Sequence, residues 1–376
     1  MGKLETLFRK LSIPMPRPKV CLADALLCPE ITQNHAAALA EALGSLAGKG
    51  FSSPQKALAW AKKKKLLPKA PLQPQLMGYE AAFMAFCFVR AAGVCLALEG
   101  EQLILQQSEG ALLPQWSLAA AQWSLSAQLL QSRELAQSMD TPGLRRLVQK
   151  LCKALELARQ PLEKCYKLQL FGDSITDSSW GDCTTWVSFF PSRLGSGKAV
   201  TVNNAYGGGA LSALPGKKNC VVRLLPKMLH PDADLVVVFA STNDFAANGP
   251  GIGLPGSRDK ATLWGAVGEI SQAVGHIPLL FIGPIPRCNR EDLTRQMDSS
   301  GERINTSGWT LAQANQALAE SAGHYRRGYL DLYTQSVFTN AQLEYTTIDG
   351  LHPNELGDIL LASRIYRAVR QYLDRE

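Results

Sequence analysis

From residue 167 onward the chain alternates short apolar runs with segments of helical periodicity, and this rhythm constrains the fold more than any other feature. The clearest run, Leu235-Val236-Val237-Val238-Phe239, has no polar residue at either phase of a strand repeat, so both of its faces must be covered. Such runs, spaced by helices, belong to parallel sheets sandwiched between helical layers. Strands are expected at residues 167–171, 200–204, 234–240, 278–283 and 329–332. The helices between them are expected at 185–194, 221–229, 262–274 and 310–325, with a closing helix at 355–373. Open sheets of this class gather their chemistry where the chain leaves the carboxyl ends of the strands.

The first 160 residues lack that rhythm. At about 150 residues per domain, a chain of 376 divides into two, read as a mainly α-helical accessory domain over 1–160 and an α/β domain over 161–376. Asn34 is placed to cap an Ala-rich helix to Leu46, and Ser53-Pro54 opens another that runs into the lysines at 62–65. Further helices are expected around 83–89, at 117–139 and at 144–165, the last linking the domains. Runs at 94–98 and 102–106 flank Glu99-Gly100-Glu101 as a small hairpin. Residues 81–98 approach the length of a membrane span. However, Arg90 at its centre would cost roughly 2.5–3.5 kcal/mol on insertion scales, so a buried helix is the expectation.

Residues 1–160 carry 19 Lys or Arg against 11 Asp or Glu, and residues 161–376 carry 20 against 21, so the basic surplus belongs to the first part. Peripheral membrane contact is expected there if anywhere; no aromatic interleaving accompanies the lysines, so no nucleic-acid partner is expected. Nine cysteines, without a CxxC pair or a Cys/His cluster at ligand spacing, argue against a disulfide framework and against a metal site. The N-terminal residues lack the apolar core of a signal peptide, and a cytoplasmic location is expected. Met1-Gly2 with Thr6 fits the short myristoylation pattern and carries little weight.

Four stretches follow expected strands or precede the last helix: Gly172-Asp173-Ser174-Ile175-Thr176, Asn204-Ala205-Tyr206-Gly207-Gly208-Gly209, Ser241-Thr242-Asn243-Asp244, and Asp349-Gly350-Leu351-His352-Pro353. A serine is a poor nucleophile at neutral pH, and an Asp and a His three residues apart are the parts that activate it. Gly-Asp-Ser alone is an ordinary turn, and Thr176 excludes a Gly-x-Ser-x-Gly elbow. Pro353 is placed to set the bend that turns Asp349 and His352 to one site.

Taken together and in this order, the stretches resemble the four blocks of the SGNH branch of the GDSL hydrolases, over roughly residues 165–376. The resemblance implies a flavodoxin-like three-layer α/β/α fold and a serine esterase acting through an acyl-enzyme without cofactor or metal. By the same resemblance Ser174 is the nucleophile and His352 the general base, oriented by Asp349. The oxyanion donors it implies are the N–H groups of Ser174 and Gly209 and the amide of Asn243, with Gly207 and Gly208 close enough to replace Gly209. Ser241 stands where the family more often has Gly.

Asp177 and Trp180, just past the nucleophile, are candidate substrate contacts, and Asp173 and Asp244 are read as structural acceptors. The substrate is expected to be a small-molecule, glycan or lipid ester. An O-acyltransferase would use the same triad, and a scaffold protein with a vestigial hydrolase domain is the rival from another class. The loop Gly249-Pro250-Gly251-Ile252-Gly253 lacks the Lys-Ser/Thr ending of a phosphate cradle and is placed at the cleft rim.

Overall fold

Side-chain caps set the helix starts in the first part of the chain. In the structure, a computed structural model, Ser53 accepts the Lys56 N–H at 3.4 Å and Pro54 takes the first helical position. Asp140 likewise accepts the Gly143 N–H at 2.7 Å. The described residues are 35–73, 75–92, 94–98, 100, 113–158, 165–177, 185–190, 193–194, 197–246, 251–287, 304–334, 338 and 343–373. They fall in two compact units, Met1–Pro161 and Leu162–Glu376. The N-terminal residues with the myristoylation pattern lie outside the described residues.

In the first unit α1 spans His35–Leu46, α2 Pro54–Lys63, α3 Gly78–Ala91, α4 Leu118–Ser126, α5 Ser132–Leu135 and α6 Thr141–Leu157, with a 3₁₀ turn at Gln115–Ser117. Ala81, Ala82, Met84, Ala85 and Val89 of α3 are buried, while Arg90 in its last turn lies 5.4 Å over the Phe86 ring. Lys62 and Lys63 fall in the last turn of α2, where cations offset the helix dipole. Among the described residues no helix is long and apolar enough to cross a membrane.

Three expectations change here. The helix expected at 117–139 breaks after Ser126, with Gln128 at φ +57°. The one expected at 144–165 starts at Thr141, because Asp140 caps it with Pro142 in the first turn, and ends at Leu157; Cys165 opens a strand instead. Residues 94–98 form no strand, and 102–106 lie outside the described residues.

The second unit holds one sheet of β1 Cys165–Gly172, β2 Arg193–Leu194, β3 Gly197–Asn203, β4 Leu235–Phe239, β5 Leu279–Ile282 and β6 Gly328–Leu330, in the order β2-β3-β1-β4-β5-β6. Only β2 runs antiparallel, pairing Arg193 with Lys198 and Leu194 with Gly197 at the edge. This pairing ends the helix expected at 185–194 early, at α7 Trp186–Phe189. The remaining helices are α8 Val221–Met228, α9 Thr242–Ala246, α10 Leu263–Val274, α11 Leu311–His324, α12 Leu343–Thr346 and α13 Glu355–Leu373. Without β2 the parallel strands follow the flavodoxin-like order, so the fold is the expected α/β one.

The continuous apolar strands serve two cores. Phe171, Val236, Val238, Leu279 and Phe281 share a buried cluster with Val222 and Leu225 of α8, Val267 and Ile270 of α10, and Ala314 and Leu318 of α11. The alternate residues Leu168, Leu170, Leu235 and Val237 are as deeply buried, and strand alternation sends them to the opposite face. There the Tyr166 hydroxyl donates to the Leu373 carbonyl of α13 at 3.4 Å, and Phe190 beside α7 meets the Tyr366 ring edge-on. Each fully buried side chain of this kind contributes about 1.5–3 kcal/mol. The chain passes from β1 to β3 on one side and then to β4 on the other, so a topological switch point opens at the carboxyl ends of these three strands.

Candidate active site

β1 ends on a glycine that accepts no substitute. A Cβ on Gly172 would lie 2.6 Å from the Phe239 carbonyl and 2.8 Å from Thr176 Oγ1. The chain then turns at once, the Thr176 and Asp177 N–H groups both donating to the Asp173 carbonyl, at 3.0 and 2.9 Å. Asp173 Oδ1 accepts the Ile175 N–H at 3.0 Å, which leaves Ser174 at the strand end, mostly buried.

A second loop reaches Ser174 from just before α13. Thr347 and Pro353 close it by an antiparallel bridge, and the Ile348 N–H donates to the His352 carbonyl at 2.8 Å. The bend expected from Pro353 is made by Gly350, at φ +83°, and by Asp349 Oδ1, which accepts the Leu351 and His352 N–H groups at 3.0 and 2.7 Å. Asn354 caps α13 by accepting the Gly357 N–H at 3.1 Å. Asp349 Oδ2 lies 2.7 Å from His352 Nδ1, and His352 Nε2 lies 2.9 Å from Ser174 Oγ. A carboxylate accepts only, so Nδ1 carries the hydrogen and Nε2 presents its lone pair to the serine hydroxyl. Burial would raise the Asp349 carboxyl, but the His352 ring and the two N–H groups outweigh it and hold it below the ordinary carboxylate range.

The glycine run and Asn243 flank the serine from β3 and β4. Asn243 Nδ2 donates one hydrogen to the Gly209 carbonyl at 2.8 Å, which fixes the amide and, among the described residues, leaves its second hydrogen uncommitted. The Gly209 N–H donates to the Tyr206 carbonyl at 2.8 Å and the Gly207 N–H to Asp177 Oδ2 at 2.8 Å. The N–H groups of Ser174 and Gly208 have no acceptor among the described residues. Gly209 is also wedged between carbonyls, a Cβ there lying 2.8 Å from Tyr206 O and 3.0 Å from Gly172 O. Asp177 is thus buried and bound to the glycine turn, and Trp180 lies outside the described residues.

Two buried carboxyls support the loops. Asp244 accepts the Leu211 and Ser212 N–H groups, at 2.7 and 2.9 Å, and the Ser212 hydroxyl; burial still raises its carboxyl. Burial also pushes Asp173 up to about 7, helped by the nearby Asp244 charge and opposed by the Ile175 N–H and Arg287. Arg287, just beyond β5, donates to the Thr242 carbonyl and hydroxyl at 3.0 and 2.8 Å and so holds the turn before Asn243. Sequence reasoning missed it, for no local pattern links an arginine after one strand to a turn after another. Among the described residues no three His, Cys, Asp or Glu side chains gather as metal ligands.

Comparison with known proteins adds a family to this geometry. One solved structure is 27% identical over 56% of this chain and 99% of its own, with a TM-score of 0.47. A protein of Lactobacillus plantarum is 24% identical over 57% of this chain and 98% of its own, with a TM-score of 0.46. A carbohydrate acetylesterase family member from Sinorhizobium meliloti is 21% identical over 56% and 99%, with a TM-score of 0.39. No curated protein matches the sequence. The model of the GDSL-like lipase/acylhydrolase family matches residues 170–358, the stretch that contains Ser174, the glycine turn, Asn243 and the loop of Asp349 and His352. Across that half of its length the chain belongs to the GDSL-like lipase/acylhydrolase family, and it is a hydrolase of ester bonds.

Proposed function

We propose that the second unit cleaves a carboxylic ester by way of an acyl-enzyme, with Ser174 as nucleophile and His352 as general base held by Asp349. The observation that carries this reading is the unbroken relay from Ser174 Oγ to His352 Nε2 at 2.9 Å and from His352 Nδ1 to Asp349 Oδ2 at 2.7 Å. Ser174 Oγ attacks the carbonyl carbon while Nε2 takes its proton, and Asp349 steadies the imidazolium. Nε2 then returns the proton to the departing alcohol oxygen as the C–O bond breaks. Water repeats the sequence on the acyl-enzyme, its proton passing through Nε2 to Ser174 as the acid leaves.

Negative charge on the former carbonyl oxygen needs donors fixed in advance, each worth about 2.7–4 kcal/mol at comparable sites. We assign the Ser174 N–H, the free hydrogen of the Asn243 amide and the Gly209 N–H. The last would be shared between the Tyr206 carbonyl and the oxyanion as a three-centre bond. The His352 and Asp349 side chains are 16% and 40% exposed, so water reaches the base, which favours hydrolysis over transfer to another alcohol. The same reading makes residues 1–160 an accessory domain, since every group it names lies in the second unit.

A serine-directed phosphonate probe and a panel of short esters test the assignment. Ser174→Ala is expected to abolish both labelling and turnover, and His352→Ala to come close to it, because triad members act as a unit. Near wild-type turnover by folded Ser174→Ala would overturn the reading.

A further inference from the structure

Among the described residues of the second unit, the exposed large apolar side chains are Tyr206, Leu254, Tyr345 and Ile348, at 40%, 78%, 50% and 60%. Scattered exposed apolar residues need no explanation, but three of these four stand on the segments that carry the reacting groups. Ile348 precedes Asp349, and its N–H is bound to the His352 carbonyl at 2.8 Å. The Tyr345 carbonyl accepts Asn354 Nδ2 at 2.7 Å, which ties the end of α12 to the same loop. Tyr206 stands in the glycine turn after β3, its N–H on the Gly172 carbonyl at 3.1 Å. At such exposure, Ile348 and Tyr345 gain little from the core.

We propose that Ile348 and Tyr345 form the subsite for the leaving alcohol of the ester, and that this alcohol is an apolar alkyl or aryl group rather than a sugar. The inference rests on the roles given above to Ser174 and His352, and proton chemistry sets the side. When the first tetrahedral intermediate breaks down, the C–O bond to the alcohol cleaves and its oxygen takes the proton from His352 Nε2. That oxygen must therefore come within hydrogen-bond reach of Nε2. The carbon chain attached to it then passes the loop that carries His352, where Ile348 and Tyr345 offer their apolar surface. The proposed oxyanion donors and Tyr206 stand on other segments, the turns after β1, β3 and β4. A polyhydroxyl alcohol placed against Ile348 and Tyr345 would lose water without gaining hydrogen bonds from these two side chains.

The test measures kcat/KM of the full chain on methyl, butyl and hexyl acetate, a series in which only the alcohol lengthens, and on an acetylated sugar. For wild type, kcat/KM is expected to rise by up to about fourfold for each methylene that is buried. Ile348→Ser and Tyr345→Ser, on separate elements, are each expected to lower the hexyl-to-methyl ratio about tenfold. Ile348→Leu should restore it, and Leu254→Ser, on a different loop, should leave it unchanged. A flat wild-type series, a better rate on the acetylated sugar than on hexyl acetate, or a ratio indifferent to both serine variants would overturn the subsite. Ser174→Ala run in parallel separates the two claims. If it is inactive and the ratio is indifferent, only the subsite fails; if it stays active, the mechanism beneath it fails as well.

Discussion

Replacing Ser241 by glycine should stabilise the second unit. Ser241 joins β4 to α9 at φ +141°, its side chain is fully buried, and its hydroxyl has no hydrogen-bond partner among the described residues. Its carbonyl accepts the Asp244 and Phe245 N–H groups at 3.0 and 3.2 Å, so the backbone is held in place by the start of α9. A residue with a Cβ in this region of φ carries about 1–3 kcal/mol of strain, and a buried unpaired hydroxyl costs about 1–3 kcal/mol. Glycine gives back about 0.5–1 kcal/mol through the greater freedom of the unfolded chain. We expect a net gain of about 2 kcal/mol, which raises the melting temperature by about 4–8 °C for a unit of this size. The assay follows the temperature at which labelling of Ser174 by the serine probe is lost, so that the second unit is read separately from the first. Ser241→Ala removes the hydroxyl but keeps the Cβ, and should recover only part of the gain. A Ser241→Gly protein that melts at or below the wild-type temperature would refute the reasoning.

Asn243→Ala should lower kcat about 10²- to 10³-fold with little change in KM, since its free hydrogen is engaged only when charge develops; a rise in KM alone would place it in ground-state binding. Asp173→Asn keeps an acceptor for the Ile175 N–H but cannot ionise. The wild-type carboxyl is raised to about 7 in the fold, so the native state holds more protons than the unfolded chain above about pH 4, and stability falls as pH rises through that window. The variant should therefore gain stability over wild type at pH 8, by at most about 4 kcal/mol, and gain almost none at pH 4; equal urea midpoint differences at both values would contradict this. A chain beginning at Leu162 should fold and keep kcat/KM on a short acetyl ester within severalfold of the full chain. A folded truncation that cleaves no ester and takes no serine probe would place part of the site in residues 1–161.

What was legible follows from how each feature is encoded. β4 is plain in the sequence because burial on both faces leaves no polar residue in Leu235-Val236-Val237-Val238-Phe239. The helix start at Ser53 could be found because a cap is a local bond between residues three apart, whereas the start capped by Asp140 lies three residues before the expected Leu144. Short or long-range features left no such mark. The two-residue edge strand β2 and the five-residue α9 are below any readable period, and glutamine at position 128 does not announce a positive φ. The loop bend was credited to Pro353, although Asp349-Gly350 is the better turn signal and Gly350 holds the left-handed φ.

The same distinction bears on the site itself. The resemblance implies Gly209 and leaves Gly207 and Gly208 close enough to replace it, and the structure adds that the Gly209 N–H donates to the Tyr206 carbonyl while its own carbonyl accepts from the Asn243 amide. Ser174, the glycine turn and Asn243 are each weak signals on separate strands, since Gly-Asp-Ser, three glycines and Asn-Asp all occur as ordinary turns. Strand order turns them into one statement. The chain crosses from β3 on one side of β1 to β4 on the other, which brings the three turns side by side at the switch point, and the loop of Asp349 and His352 reaches the serine from just before α13. A strand order that separated β3 from β4 by more than β1 would leave Asn243 out of reach of Gly209, and the bond between them is therefore a direct readout of the topology that the site requires.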